Sequence, residues 1–558
     1  MNTQQYTCLE IFARAREKGG KIKVVSAQRN SMEKEAETAY YTWLKFPVEP
    51  DTEYEIERGT CDVTLCYLSG NEKILETGVE YLEQERQSGR FLPVEEGIHY
   101  DSPIRETYHF APWKNWMNDP NGLCWFQGYY HMFYQFNPHR QKWSNMYWGH
   151  AASKDLVHWV HLPVALAPQD EILKNPEELV GGAFSGCAVV EGNEVIFYFT
   201  RHIGPHKDCE ETLQQQWMVR SEDMIHFTEE KCIIEKRPED ASFDFRDPKV
   251  LEIGGHWYMV LASAIKGKGA ILLYESKDME HWEYLHPLLV EESSGIRCFE
   301  CPDFMELDGK YLAIGAWMHH HDECGRFQMS RYYIGDFREQ RLQVENSGWF
   351  DFGGNCYAMQ SFEHGGRRIS IGWVSDFYEE HIERENGAYG SMTLPRQLHI
   401  RNNKLYMKPV EEIEILKGKE IYLGEGECLQ LHRIEGNAYR AKIHFSEDTE
   451  FAILLGKDGE KEISLLNDGQ GLRIETKGVR SQGICFLADV EKAVSLEIYV
   501  DRRVVEVYVN DGEAVGTKLF YNSSTEGCFV LRTEKPENIS KAEVCLMKGI
   551  WGRKGKKI

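Results

Sequence analysis

Residues 246–282 read RDPKVLEIGGHWYMVLASAIKGKGAILLYESKDMEHW. An acid, Asp247, stands just upstream of a short apolar run, GGHWYMVLA at 254–262. That run is aromatic and β-branched, as a buried strand should be. The stretch ends on Ser-x-Asp-apolar-x-His-aromatic, which suits a strand-to-strand turn whose aromatic enters a core.

Both parts recur. Runs of the same kind begin at Gly128 (GYYHMFYQ), Asn193 (NEVIFYF), Gly309 (GKYLAIGA) and Arg367 (RRISIGWV), about 55–65 residues apart. The turn motif recurs as SKDLVHW at 153–159 and SEDMIHF at 221–227. Repeats in phase, with no long helical pattern between them, predict a five-bladed β-propeller over 107–408. Residues 1–106 alternate at Tyr54–Ile56 and Val63–Tyr67, which predicts a β-rich accessory domain. Gly89 to Thr107, with Pro93, Gly97 and Pro103, reads as its linker. Beyond 409, YRAKIHF, EFAILLG, SLEIYVD and VVEVYVN predict a C-terminal β-sandwich, with Asn510-Asp511-Gly512 as a hairpin turn and a basic, frayed tail, GRKGKKI. The expected fold is therefore all-β: accessory domain, five-bladed propeller, sandwich.

The composition is that of a globular protein, with 42% apolar and 27% charged residues among 558. A net charge of -25 repels phosphate backbones and anionic membranes, so neither nucleic acid nor membrane is an expected partner. Met1 to Lys21 contains no apolar core of the signal-peptide kind, and an odd number of cysteines, 15, is scattered along the chain. Both point to a reducing, cytoplasmic setting. A homo-oligomer formed through the accessory domains is a further expectation.

Phase in the repeat decides where chemistry can gather. Asp119, Asp247 and Glu300 precede the runs at 128, 254 and 309 at nearly the same phase, and Phe184-Ser185 and Tyr357 hold that phase in the other two units. Equal phase in a propeller means equal radial position, so all five units would meet in one central pocket. Each motif has a plainer reading. WMNDPNG at 116–122 suits a tight turn, and RDP suits a structural ion pair. ECPDF at 300–304 says little alone, and Trp113 and Trp116 suit a core. His319-His320-His321 cannot all face one ion, so a solvated loop is expected there rather than a metal site.

Together the motifs resemble glycoside hydrolase family 32, the invertase and fructanase family. WMNDPNG resembles its nucleophile motif, FRDP at 245–248 its transition-state-stabiliser motif, and FEC at 299–301 its acid/base motif. FSGC at 184–187, YAMQ at 357–360, GSMTLPRQL at 390–398 and IYVDRRVVEVYVNDGE at 498–513 match in order, so the resemblance covers roughly 107–550. It implies a propeller plus sandwich, retention of configuration, β-fructofuranoside substrates, and no metal or cofactor.

By that resemblance Asp119 is the nucleophile, held ionised by backbone N–H groups of its Asn-Gly turn. Glu300 is the acid/base, and Asp247 binds ring hydroxyls as oxocarbenium charge develops. Asn118, Gln135, Trp143, Phe184, Ser185, Arg246, Tyr357 and Trp373 would line the fructose pocket. Cys187, Val374 and the pair Asn355-Cys356 stand where the family more often has Ser, Met and Asp-Phe. Asn355 would remove a charge from beside the leaving group, which predicts a preference for short fructosyl-fructose substrates over sucrose. Sucrose 6-phosphate, fructosyl transfer to a sugar acceptor, and a non-catalytic carbohydrate-binding propeller stay open at this point.

Overall fold

The computed structural model describes the chain except residues 96–98, 103–104, 177, 208–211, 379–386, 521–523 and 552–558. Gly97, Pro103 and the GRKGKKI tail (552–558) thus lie outside the described residues.

The described residues are nearly all β, in nine sheets. Two belong to the N-terminal region. Thr42–Pro47, Cys8–Ala15, Cys61–Ser69, Glu80–Gln84 and Phe91–Pro93 form one, and Ser31–Glu35, Lys21–Ser26 and Tyr54–Glu57 the other. They lean on the first sheet that follows: Phe12 meets Tyr147 edge-on at 5.7 Å, and Val79 N–H donates to His161 O at 2.8 Å. Among the described residues none from 1–106 lines the large cavity described below.

The segment read as a linker is packed instead. His99 stacks on Trp113 at 3.6 Å, Tyr100 stacks on Trp551 at 3.8 Å, and Arg105, 1% exposed, donates to Trp113 O and Pro112 O. Its aromatic and arginine side chains had apolar surface to cover, and that outweighs its proline and glycine content.

Five sheets of four or five strands follow, each built on antiparallel neighbours from its first strand outward; in the first of them Ala388–Tyr389 adds in parallel beside the first strand. The first strands are Asn115–Phe126, Gly181–Glu191, Arg246–Ile253, Phe299–Leu307 and Cys356–His364. Each apolar run from the sequence is the second strand of its sheet, and the acids lie on the first. First strands pack on one another in sequence, and the fifth also packs on the first. The Ser-x-Asp motif turns the third strand into the fourth. Asp155 Oδ1 accepts from the N–H groups of Val157 and His158 while its other oxygen meets His158 Nδ1 at 2.8 Å, and Asp223 and Asp278 repeat this.

Two six-stranded sheets complete the chain. Alternate residues Tyr439, Ala441, Ile443 and Phe445 of one share a core with Ile453, Leu455, Ile463 and Leu465 of the other, the period expected of facing sheets. Val504–Val509 and Ala514–Leu519 form the hairpin read from Asn510-Asp511-Gly512. An all-β chain of this kind is consistent with a propeller followed by a sandwich.

Candidate active site

Each first strand carries a β-bulge at the same place. Two residues oppose one at Asn118-Asp119, Phe184-Ser185, Asp247-Pro248, Cys301-Pro302 and Ala358-Met359. A bulge bends the strand and re-aims side chains that regular pleating would send to opposite faces. In the last three the leading residue has positive φ: 59° at Asp247, 47° at Cys301 and 52° at Ala358. A non-glycine residue in that region costs of order 1–3 kcal/mol, a strain typical of functional sites.

The bulges surround a cavity of about 550 Å³. Asp119, Asp247 and Glu300 line it, with Asn118, Gln135, Trp143, Phe184, Ser185, Arg246, Tyr357 and Trp373. All eleven positions singled out in the sequence are therefore brought together. Among the described residues no group of His, Cys, Asp and Glu is arranged to hold a metal ion.

Asp119 accepts from Asn118 Nδ2 at 3.0 Å and from Ser185 Oγ at 2.8 Å. These side chains, rather than the N–H groups of the Asn-Gly turn, hold it; Asn121 Oδ1 is spent on Gly186 N–H. Trp116 Nε1 donates to Asn118 Oδ1 at 2.6 Å and so fixes the amide that faces Asp119. Burial pushes the Asp119 carboxyl above its ordinary range, the two hydrogen bonds pull it back, and the charge of Glu300 pushes it up again.

Asp247 accepts from the Cys301 N–H at 2.9 Å, and the Cys301 thiol lies 3.5 Å from Asp247 Oδ2 and 3.7 Å from Asp119 Oδ2. One residue thus touches both aspartates, and its neighbour in the chain is Glu300. Burial raises Asp247 to about 7, with Arg246 opposing and Glu300 adding to the rise. Glu300 is held on both oxygens. Arg246 Nη2 donates to Oε1 at 2.7 Å, and the Tyr357 hydroxyl donates to Oε2. Burial, then the charge of Glu300, keeps the Tyr357 phenol protonated far above its usual range. Arg246 is fixed from behind by Asp244 at 2.6 Å, and Asp244 also accepts from Arg297 Nε at 2.9 Å.

Residues 109–409 match the glycosyl hydrolases family 32 N-terminal domain, and residues 435–544 match the family 32 C-terminal domain. The chain belongs to glycoside hydrolase family 32. A sucrose-6-phosphate hydrolase of Zymomonas mobilis is 34% identical to it over 73% of the chain and 84% of its own length. A levanase of Bacillus subtilis is 30% identical over 81% of the chain and 72% of its own length. A family 32 structure from Bifidobacterium adolescentis superposes with a TM-score of 0.92 at 31% identity, covering 99% of each chain, the N-terminal region included. The family 32 chain described here is a glycoside hydrolase of the β-fructofuranosidase type, acting on a sugar.

Several residues of this family 32 cavity were not found by reading the sequence. Trp116 was read as core, as was Trp113. Trp113 is buried, but Trp116 lines the cavity and stacks on Tyr389 at 4.4 Å. His202 stacks on Phe184 at 4.0 Å, and His319, from the triple-histidine stretch, lines the wall while His320 and His321 do not. Asp244 and Arg297 stand two and three residues before Arg246 and Glu300, and that proximity was the available signal.

Asn355 corrects an expectation. It is 1% exposed and does not line the cavity. Its Nδ2 donates to Ser375 O at 2.6 Å, and its Oδ1 accepts from Lys518 Nζ at 2.8 Å and Leu519 N–H at 3.1 Å. The side chain is spent on joining the fifth sheet to the C-terminal region. It takes no part in holding a leaving group, so Asn355 gives no preference against sucrose.

Proposed function

We propose that this chain is a retaining, exo-acting β-fructofuranosidase that releases terminal fructose from short β-fructosides, sucrose among them. The observation that carries this is the convergence of Asp119, Asp247 and Glu300 about Cys301 in one cavity. Two carboxyl groups across the scissile bond, with a third polar acid below the ring, suit displacement with a covalent intermediate. Asp119 attacks the anomeric carbon. Asn118 and Ser185 orient the carboxylate so that one lone pair faces the sugar. Glu300 gives its proton to the leaving oxygen, then takes one from the water that hydrolyses the fructosyl ester. Arg246 and Tyr357 fix the Glu300 carboxyl at the point of transfer. Asp247 accepts from ring hydroxyls, bonds that strengthen as positive charge develops on the ring.

The five sheets are, in this reading, the five blades of a propeller over 107–408, between an accessory domain at 1–106 and a sandwich at 409–558. Packing of the fifth first strand on the first supports it. The accessory domain braces the first blade through Phe12 and the C-terminal region through Tyr100, and none of its described residues lines the cavity.

The test is a product profile on sucrose, sucrose 6-phosphate, and inulin-type and levan-type oligosaccharides. Free fructose released one unit at a time from the uncharged short substrates is expected. Absence of fructose release from all four would overturn the proposal.

A further inference from the structure

Between Lys310–Trp317 and Ser330–Arg338 of the fourth sheet, the chain makes an excursion that carries one wall of the catalytic cavity. Met318, His319 and Gln328 line the cavity from it, and Met318 Sδ accepts from Arg246 Nη2 at 3.2 Å. The excursion is folded about Asp322. One carboxylate oxygen accepts from the N–H groups of Cys324 at 3.0 Å and Arg326 at 2.8 Å, and the other holds the Arg326 guanidinium at 2.7 Å. Gly325, at φ 81°, lets the chain turn back, and its N–H donates to Asp322 O at 3.0 Å.

The far side of this excursion rests on the C-terminal region, at the short strand Phe486–Leu487. Arg326 Nη1 donates to Leu487 O at 3.3 Å. Phe327 N–H donates to the Tyr378 hydroxyl at 3.1 Å, and the Tyr378 ring meets Phe486 edge-on at 5.5 Å. Beside these contacts Cys485 N–H donates to Cys324 O at 3.3 Å. A backbone bond of that length holds the two Cα atoms roughly 5–6.5 Å apart, inside the ~4.4–6.8 Å span that a disulfide bridges. Both residues are free cysteines and half-buried. Burial pushes the Cys324 thiol up, Arg326 pulls it down, and the charges of Asp322, Cys485 and Glu323 push it up again. Cys485 thus stands near enough for its charge to be felt at Cys324.

We infer that Cys324 and Cys485 form an oxidation site, at which a low-molecular-weight disulfide joins them by one S–S bond and pins the cavity wall to the C-terminal region. One cysteine, as its thiolate, attacks a sulfur of the oxidant RSSR, forms a mixed disulfide and expels RS⁻, which takes up a proton. The other cysteine then loses its proton, attacks the cysteine sulfur of that mixed disulfide and expels the second RS⁻, which is protonated in turn. Two cysteine thiols are oxidised and one RSSR is reduced to two RSH. The new bond closes a long loop that holds the whole fifth sheet, so it removes freedom from the unfolded chain and stabilises the fold. The reacting centre is spared. Cys301, which touches both aspartates, is 2% exposed, and burial followed by the charges of Asp247, Asp119 and Glu300 keeps its thiol protonated and unreactive.

The test uses the folded full chain and oxidised glutathione at about pH 8. Remaining thiols are blocked with N-ethylmaleimide, and the digest is mapped by mass spectrometry without reduction. A peptide pair joined through Cys324 and Cys485 is expected, absent from Cys324→Ser and from Cys485→Ser and lost when dithiothreitol is added. The oxidised wild type should melt about 3 °C or more above the reduced form, and neither serine variant should gain. Neither cysteine lines the cavity, so the reduced variants should turn over sucrose as the reduced wild type does, which reports their folding in the same samples. Separate glutathione adducts on the two residues, or free thiols at both, overturn the site. A joined pair without a gain in melting temperature overturns the tie between wall and C-terminal region.

Discussion

Asp247 sits where its function costs stability. Buried beside Glu300, its carboxyl is raised from 3.8 to about 7, whereas the unfolded chain keeps the ordinary value. Between those pH values the folded state holds a proton that the unfolded state has lost, so stability falls as pH rises from 3.8 to about 7 and is level above. Asp247→Asn removes that penalty, which is on the order of a few kcal/mol. Its melting temperature should match the wild type near pH 4 and exceed it increasingly up to pH 7, while activity is lost. An asparagine variant less stable at pH 8 than the wild type would contradict the assignment. The raised Asp119 carboxyl acts on rate in the opposite sense: as the nucleophile it must be ionised, so kcat/KM rises with pH and its acid limb should lie above the usual carboxylate range. Asn355→Asp, by contrast, should leave the preference between sucrose and 1-kestose unchanged, because the side chain faces Ser375 and Lys518. The three acids were legible from repeat phase and motif. The direction of Asn355 was not, because a buried amide reads the same in sequence whether it faces a cavity or a neighbouring sheet.

The bulged first strand is the element that makes the site. Five copies turn adjacent residues toward one centre, and three of them do so through a non-glycine residue at positive φ. Ala358 is the most testable, since it is fully buried and its neighbour Tyr357 holds Glu300. Ala358→Val places a β-branched side chain at φ 52° and should destabilise by about 1–3 kcal/mol, with a fall in kcat as Tyr357 shifts. Ala358→Gly should keep both stability and rate, as measured by melting and by sucrose turnover. A valine variant with wild-type rate would show that the bulge does not aim Tyr357. The period of the strands was readable in the sequence, but the bulges were not. Asp-Pro and Cys-Pro mark two of them only weakly, and nothing in Phe184-Ser185 or Ala358-Met359 distinguishes an extra residue from ordinary alternation.

Across the whole molecule, a buried charge cluster joins the five-sheet region to the C-terminal sheets. His109 Nδ1 lies 2.9 Å from Asp501 Oδ2 and its Nε2 lies 3.1 Å from Glu506 Oε1, while Arg396 bridges Glu506 and Asp351. Burial alone would depress the imidazole, but the two carboxylates outweigh it and hold it at about 9. Glu506, which burial alone would raise, is pulled down to about 2 by Arg396 and His109. The contribution of His109 is fully present below its unfolded value of 6.5 and is lost as pH rises through about 9; that of Glu506 is present above 4.5 and is lost as pH falls through about 2. His109→Asn should therefore be less stable by about 3–5 kcal/mol near pH 6, with the difference shrinking toward pH 10. Denaturant unfolding at both pH values checks this, and a difference independent of pH would contradict it. The strands of both regions were signalled in the sequence, though their order within the sheets was not. This cluster did not, because residues 109, 396, 501 and 506 share no repeat phase and meet only once the two regions pack.

The division of labour between Asp119 and Glu300 is tested most directly by leaving-group dependence. On kcat/KM, which reports the first step alone, Glu300→Ala should lose about 10²–10⁴-fold on sucrose, whose leaving oxygen needs a proton. On a nitrophenyl β-fructofuranoside, whose leaving group needs little protonation, it should stay close to the wild type, while Asp119→Ala should fail on both. Equal losses of Glu300→Ala on the two substrates would contradict the account.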